Sequence, residues 1–200
     1  MDRLLEWHDR AIWLVETGPP AVYYLADRDA GGVLVNAPPF AVALYEDLSR
    51  TAPLRYVFLP SHFGACDLDA WRAAGARILV SAEEEGVADV DLRVGPQHKL
   101  TRTIDFIPIP GRTRGTCGLR LKNKPGALFV GPALTPAESG WPELVAHADD
   151  DSYENRLMGV IGLGAQGFEY LFTDNFVPSQ TRFGPGADVA LRDHIDRLLT

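Results

Sequence analysis

Runs of apolar residues alternate with turn-forming residues through the first fifty positions, and they predict a strand, a hairpin and a helix. The run at 11–16 ends at a Gly-Pro-Pro turn, which predicts a strand. The runs at 21–26 and 32–36 flank a turn-rich segment, so we expect them to pair as a hairpin. Helical spacing of apolar residues over 40–48 predicts the first helix.

The alternation of strand and helix patterns continues to about residue 85. The run at 55–59 is nearly all apolar and predicts a short strand that is buried on both faces. A helix is expected at 68–74, closed by a glycine, and the next strand at 76–80. Ser81 and Glu84 have the spacing of a capping box, which predicts a short helix directly after this strand.

The second half of the chain is richer in strand patterns. We expect strands at 104–109, 118–122, 127–130 and 168–173, with a hairpin turn between the second and the third. Asp151 and Glu154 form another box-like pair, which predicts a helix over 151–163. A C-terminal amphipathic helix is indicated by an apolar stripe that consists of Leu191, Ile195, Leu198 and Leu199.

These patterns predict an α/β (α+β) chain in which helices cover the sheets, because strand-rich stretches recur in both halves with helices between them. The length of 200 residues suits one domain, and we expect a single domain over 1–200. The pattern alone leaves open whether the strands form one sheet or two stacked sheets.

Composition narrows the classes of partner. The net charge of −8 argues against a nucleic-acid or anionic-membrane surface, because both require clustered Lys and Arg. No apolar run approaches the length of a membrane span, and the N-terminus is too charged for a secretory signal. The chain has only two cysteines, so we expect no disulfide scaffold and a cytoplasmic location.

Four segments, taken in order, resemble motifs of the metallo-β-lactamase superfamily, and the resemblance spans 11–199. They are GGVLVNAP at 31–38, LPSHFGACD at 59–67, IPGRTRGT at 109–116 and ALFVGPAL at 127–134. The family's counterparts are GGVLVDAP, T-H-x-H-x-D-H, TPGHTPGS and LFTGDTL. The resemblance implies a four-layer αββα sandwich, with two mixed sheets face to face and helices outside. It also implies one or two zinc or iron ions that generate a hydroxide near neutral pH.

Most of the ligands that the resemblance implies are replaced in this chain. His62 matches the first histidine of the motif, and no other expected ligand survives. The replacements are Gly64 for the second histidine, Cys66 for the aspartate, Asp67 for the third histidine, Arg112 for the histidine of PGHT and Pro132 for the bridging aspartate. The family's last histidine has no counterpart at 175–180.

Arg112 is the replacement with the largest electrostatic consequence. A guanidinium is a permanent cation and no metal ligand, so it disfavours a divalent ion beside it. We therefore expect no metal or other cofactor, and we expect an Arg112–Asp67 ion pair to occupy the emptied site. Arg112 and Arg114 lie in a loop that borders the family's active site, where they could bind a small anionic ligand.

Two interpretations of function follow. The first is a non-catalytic protein of this fold, in which His62, Cys66, Asp67, Arg112 and Arg114 line a pocket for a small ligand, or a surface for a protein partner. The second is a hydrolase with one zinc, iron or manganese ion, for which His62, Cys66 and Asp67 are weak candidate ligands. A soft zinc site or a Cys–His nucleophile pair of Cys66 and His62, with Cys117 nearby, is a further alternative to two ordinary small thiols and one hydrogen-bonded histidine.

Other patterns have simpler explanations. The segment 162–167 matches G-x-G-x-x-G, but a dinucleotide site requires a strand before it and a helix after it, and the predicted order is the reverse. The acidic run 149–151 suggests a cation site, or else favours the N-terminus of the next helix. We expect His194 to be exposed in a charged run, while His147 lies in a loop that could approach the site.

Overall fold

The structure is a computed structural model that describes residues 1–7 and 9–200. Seven strands form the first sheet, in chain order: β1 (Asp2–Trp7), β2 (Arg10–Glu16), β3 (Val22–Asp27), β4 (Gly31–Val35), β5 (Leu54–Leu59), β6 (Arg77–Ser81) and β7 (Leu92–Val94). Neighbours from β1 to β4 are antiparallel, and those from β4 to β7 are parallel. The predicted hairpin between 21–26 and 32–36 is confirmed as β3 and β4.

The second sheet has four strands in the spatial order β13-β10-β9-β8. The remaining strands are β8 (Ile104–Pro108), β9 (Cys117–Leu121), β10 (Ala127–Gly131), the short pair β11 (Thr135–Pro136) and β12 (Pro142–Glu143), and β13 (Tyr170–Thr173). The helices are α1 (Val42–Thr51), α2 (Leu68–Ala73), α3 (Tyr153–Leu163) and α4 (Ala187–Leu199), and a short 3₁₀ helix covers His62–Gly64. Within the second sheet, β13 and β10 are parallel, whereas β10 and β9, and β9 and β8, are antiparallel.

Successive residues of β3 enter two different cores. Tyr23 and Leu25 pack between the two sheets, whereas Val22 and Tyr24 pack on the outer side of the first sheet, against α1 and α2. Because side chains alternate across a strand, a strand that is buried on both faces must be apolar throughout. Each of these large side chains contributes roughly 1.5–3 kcal/mol by leaving water.

A third core joins α3 and α4 to the outer side of the second sheet. Leu163 of α3 and Leu191 of α4 share it with Leu128 and Leu171, which lie on β10 and β13. The layers therefore run helices, sheet, sheet, helices. The αββα prediction is confirmed, and the question of one sheet or two is answered as two.

The helix predicted after β6 is wrong. Residues 82–83 form a turn, in which Ser81 Oγ accepts the Glu83 N–H at 3.3 Å. Glu84 does not cap this segment, because its carboxylate bonds His62 and Thr113 instead. The Glu84 side chain, which a capping box requires at the helix start, is used in a tertiary contact instead.

Three smaller expectations also change. Helix α3 is capped by Ser152, whose Oγ accepts the Asn155 N–H at 3.2 Å, so Asp151 is not the cap. His194 is buried rather than exposed, because its Nε2 accepts the Leu144 N–H at 2.9 Å and fixes α4 beside β12. The half-exposed strand β1 and the three-residue strand β7 have patterns too weak to predict.

The glycine-rich segment ends α3 and leads to β13, so it lacks the strand-before-helix order of a dinucleotide site. Among the described residues, no helix combines the length and the apolar character that crossing a membrane requires.

Candidate functional site

Segments that follow β5, β6, β8, β10 and β13 line two adjoining cavities at one edge of the sandwich. We name the first, of about 300 Å³, the proline cavity; its lining includes Pro19, Pro20, Pro132, Asp174 and His147. The second, of about 420 Å³, is the acidic cavity; its lining includes His62, Glu84, Glu85, Asp149 and Asp151. Phe63 and Arg112 line both. The motif segments therefore converge in space.

Arg112 lies between the two cavities and is held on two sides. Its Nη2 donates to Asp149 Oδ2 at 2.9 Å, and its Nη1 donates to the Asp149 carbonyl at 3.1 Å. Its Cζ lies 5.0 Å from the centre of the Phe63 ring, in a cation–π contact. The side chain keeps only 13% of its surface exposed. Arg112 is thus a fixed cation with a defined orientation.

The expected Arg112–Asp67 ion pair is wrong. Asp67 has a left-handed backbone with φ of 46°, and its Oδ2 accepts the Phe40 N–H at 3.0 Å. It lines a different cavity, beside α2. Arg112 does pair with a carboxylate, but this carboxylate belongs to Asp149, in a loop 37 residues further along the chain.

Asp150 joins Arg112 to a second, fully buried arginine. Arg156 of α3 donates from Nη1 to both carboxylate oxygens of Asp150 at 2.8 Å, and from Nε to the Ala133 carbonyl at 2.8 Å. Arg112 Nη1 lies 3.6 Å from Asp150 Oδ1. Burial lowers the pKa of Arg156, and Asp150 opposes that shift. Asp149 and Asp150 of the acidic run therefore face the protein's own guanidinium groups.

His62 is oriented by a buried carboxylate. Its Nδ1 lies 2.6 Å from Glu84 Oε1, which also accepts the His62 backbone N–H at 2.9 Å. The other oxygen of Glu84 accepts the Thr113 hydroxyl at 2.6 Å, and Thr113 lies 2.8 Å from the Thr116 hydroxyl. This network fixes Nδ1 on the protein side, so Nε2 is the ring nitrogen that can meet a ligand.

Replacing Glu84 by alanine is expected to lower the free energy of unfolding by about 2 kcal/mol, because His62 and Thr113 lose their shared acceptor. The matched control is Glu85→Ala, whose side chain is 77% exposed and pairs with Arg114 at the surface. We expect the control to change stability by less than about 0.5 kcal/mol. Urea denaturation of the three proteins measures both values, and equal losses in the two variants would contradict a structural role for Glu84.

Asp174 is a buried carboxylic acid in the wall of the proline cavity. It is 4% exposed, and its Oδ1 accepts from Asn36 Nδ2 at 2.8 Å. Its Oδ2 is buried with no hydrogen-bond partner among the described residues. Burial raises the pKa of Asp174 to about 7, and the hydrogen bond from Asn36 only partly opposes this. The carboxyl group is therefore close to half ionised at neutral pH.

His147 lines the same cavity, as its loop position allowed. Burial lowers its pKa, and the nearby positive charges of Arg112 and Arg156 lower it further. The ring is therefore held in its neutral form at pH 7. Its backbone N–H donates to Asp150 Oδ2 at 3.1 Å, which ties the loop to the arginine cluster.

No protein-family model matches the chain, and no curated protein sequence matches it. Several solved structures, in contrast, are similar to the chain. The BLEG-1 B3 metallo-β-lactamase matches with a TM-score of 0.65 and 17% identity, over 83% of this chain and 92% of that one. A metallo-β-lactamase superfamily protein from the archaeon Sulfolobus tokodaii matches with a TM-score of 0.67 and 13% identity, over 94% of this chain and 86% of that one. The chain has the metallo-β-lactamase fold. The chemotaxis sensor ODP, solved as a peroxy diiron species, also matches, with a TM-score of 0.66 and 13% identity, over 96% of this chain and 93% of that one.

The metallo-β-lactamase fold implies a metal centre at this edge, but the residues present do not fit one. Arg112 stands where a histidine is implied, and its guanidinium has no lone pair to offer. A Cβ at Gly64 would overlap Asn36 Oδ1, so a histidine has no room there. Pro132 has no donor atom. Among the described residues, no three His, Cys, Asp or Glu side chains form a group that could hold a metal ion.

The side chains of His62, Cys66 and Asp67, the weak candidate metal ligands, do not converge on one site in this structure. His62 lines the acidic cavity, whereas Asp67 lines the cavity beside α2. Burial raises the pKa of Cys66, and the charges of Asp67 and Glu16 raise it further. Cys117 packs in the core between the sheets, where burial raises its pKa to about 12. Neither thiol is activated as a nucleophile.

Arg114 points to the surface and differs from Arg112 in this respect. It pairs with Glu85 at 3.0 Å, and 63% of its side chain is exposed. It lines the acidic cavity but not the proline cavity. Of the five predicted pocket residues, His62, Arg112 and Arg114 therefore share a cavity.

Four residues of this site are not predicted from the sequence: Asn36 as a packing partner, Glu84, Arg156 and Asp174. A signal existed for Asp174, because it directly follows an apolar strand at the edge where other motif loops were expected. Glu84 was assigned to a helix cap. No sequence pattern marked Arg156 as buried.

Proposed function

We propose that this chain is a metal-independent binding protein, whose proline cavity takes a small molecule that carries a carboxylate or similar anionic group. The observation that carries the proposal is Arg112, a fixed cation at the position where the fold's relatives would have a metal-binding histidine. A guanidinium can replace the metal's charge as an anchor for an anion, without any of its Lewis acidity.

The proline cavity is favoured over the acidic cavity on grounds of charge and shape. Four carboxylates line the acidic cavity, beside His62, Arg112 and Arg114; they belong to Glu84, Glu85, Asp149 and Asp151. An anion entering there meets net negative charge. The proline cavity is lined by three prolines and Phe63, and its volume of about 300 Å³ suits a small ligand. A protein partner has less support, because this cavity is concave and small.

Arg112 has hydrogen-bonding capacity left for a ligand. Guanidinium groups carry five N–H donors. The hydrogen bonds of Arg112 to described residues both go to Asp149, and they use one donor on each terminal nitrogen. Asp149 is 69% exposed, so a ligand carboxylate can share Arg112 with it or displace it.

A metal-dependent hydrolase is the second candidate, and one observation favours it. Glu84 holds His62 by Nδ1, which is how carboxylates commonly orient a histidine that binds metal through Nε2. The solved relatives named metallo-β-lactamases make β-lactam hydrolysis the activity to test. The poor fit of Gly64, Arg112 and Pro132 to a metal centre weighs against it.

Elemental analysis of untagged protein, purified without chelator, separates the two candidates. We expect substoichiometric zinc, iron and manganese, and no hydrolysis of a chromogenic cephalosporin or of bis(4-nitrophenyl) phosphate after metal is added. Stoichiometric metal that is lost, together with hydrolysis, in His62→Ala would replace the first candidate by the second.

Calorimetric titration with 3-phenylpropanoate tests the binding proposal directly. We expect Arg112→Gln to weaken binding about tenfold, which corresponds to about 1.4 kcal/mol. Arg114→Gln, two residues along the same loop, is expected to change the affinity less than twofold. A larger effect of Arg114→Gln would move the ligand into the acidic cavity and contradict the proposal.

A further inference from the structure

The wall of the proline cavity holds two groups of opposite character. Arg112 supplies a fixed positive charge that Asp149 already balances in part. Asp174 supplies a carboxyl group whose Oδ2 has no partner among the described residues, although the side chain is almost completely buried. A buried polar atom without a partner is costly, and such atoms in folded proteins are few.

Asp174 is held in this position from below. Asn36 donates from Nδ2 both to Asp174 Oδ1 and to the Ala21 carbonyl, at 2.8 Å each. The backbone of Asp174 is fixed as well, since its N–H donates to the Gly131 carbonyl at 3.0 Å. The carboxyl group therefore cannot turn away to find a partner, and Asp174 lines the proline cavity from this fixed position.

We infer that the ligand of the proline cavity is zwitterionic, with a carboxylate that meets Arg112 and a protonated amine that meets Asp174. The inference rests on the proposed function and names its ligand class: a small α-amino acid with an apolar side chain. The apolar side chain would pack on Pro19, Pro20 and Pro132, which line the same cavity. The step is binding only, with no bond made or broken.

The charges around the cavity agree with such a ligand. Burial raises the pKa of Asp174 to about 7, so an ammonium group that pairs with it favours the ionised form. The other titratable groups that face this space are Arg112, the neutral His147 and, beneath Asp174, Tyr23, whose pKa is raised mainly by burial and also by Asp174. None of them offers Asp174 a positive charge in hydrogen-bond contact.

Calorimetric titration with three related probes tests the inference. The probes are L-phenylalanine, 3-phenylpropanoate, which lacks the amine, and 2-phenylethylamine, which lacks the carboxylate. The probes share a phenylethyl group and differ in their charged groups. We expect L-phenylalanine to bind at least about tenfold more tightly than either analogue, since each analogue lacks one charge-assisted hydrogen-bonding group. Its affinity is expected to rise between pH 6 and pH 8.

Asp174→Asn keeps the hydrogen bond from Asn36 and removes the charge. We expect it to reduce the affinity for L-phenylalanine, relative to that for 3-phenylpropanoate, about tenfold and to abolish the pH dependence. The exposed Asp196→Asn on α4 is the charge-matched control. The comparison of the three probes on the unmodified protein gives a result even if Asp174→Asn does not fold.

The outcomes separate the inference from the proposed function. Equal affinity for L-phenylalanine and 3-phenylpropanoate, with both weakened in Arg112→Gln, would overturn the inference and leave the carboxylate site standing. Tightest binding of 2-phenylethylamine, or no binding of any probe, would overturn both.

Discussion

Replacing Arg156 by methionine is expected to lower the free energy of unfolding by about 3–5 kcal/mol, the usual loss when a buried ion pair loses one partner. The reason is that Asp150, 4% exposed, would lose the Arg156 nitrogen that donates to both of its oxygens and would keep only the longer 3.6 Å contact with Arg112. The Ala133 carbonyl would lose its donor as well. Denaturant unfolding followed by circular dichroism measures the loss.

The matched control for Arg156 is Arg192→Met on α4. Arg192 also pairs with an aspartate, Asp188, at 2.7 Å, but 48% of its side chain is exposed. We expect this variant to lose less than about 1 kcal/mol. Adding Asp150→Asn to the Arg156 variant should recover part of the loss, because the unpaired charge is then gone. A double variant whose loss equals the sum of the single losses would contradict a coupled pair.

Asp174→Asn is expected to become more stable than the unmodified protein as pH rises. Burial raises the folded-state pKa of Asp174 from 3.8 to about 7. Between these values the unfolded chain is ionised and the folded chain holds its proton, so the stability of the unmodified protein falls as pH increases. The difference between the two proteins should shift by about 4 kcal/mol from pH 4 to pH 8, at about 1.4 kcal/mol per pKa unit.

Unfolding curves at several pH values measure this shift, and Asp196→Asn again serves as the control. The control should follow the unmodified protein at every pH, because its carboxyl group is exposed in the folded chain. Parallel pH profiles for the Asp174 variant and the unmodified protein would show that Asp174 ionises freely when folded. An amino acid that binds as inferred should reduce the loss at high pH, since its ammonium group pairs with the carboxylate.

The fold could be predicted because its signals are local. Strands such as β3 and β5 are nearly all apolar, which is the pattern expected of a strand covered on both faces. The motif order then distinguished two stacked sheets from one. The helix after β6 was predicted wrongly, since a capping box is a local signal and Glu84 is engaged by His62 and Thr113 from other parts of the chain.

The site could be predicted in position but not in its pairing. The resemblance predicts Arg112 as a cation in the loop that borders the site, but its partner cannot be predicted from spacing. Asp149 and Asp67 lie in different loops, and only the folded sheets decide which of them approaches. Arg156 was missed for the same reason, because a helical arginine is usually exposed unless tertiary structure buries it.

The contact between Gly64 and Asn36 has a consequence for any attempt to convert this protein into a metalloenzyme. The Asn36 side chain is fixed in place, because its amide nitrogen donates hydrogen bonds to the Ala21 carbonyl and to Asp174. Introducing a histidine at position 64 alone would therefore disturb the anchor beneath the cleft before it created a ligand. A design that places a histidine at position 64 must therefore change position 36 as well, in addition to replacing Arg112 and Pro132.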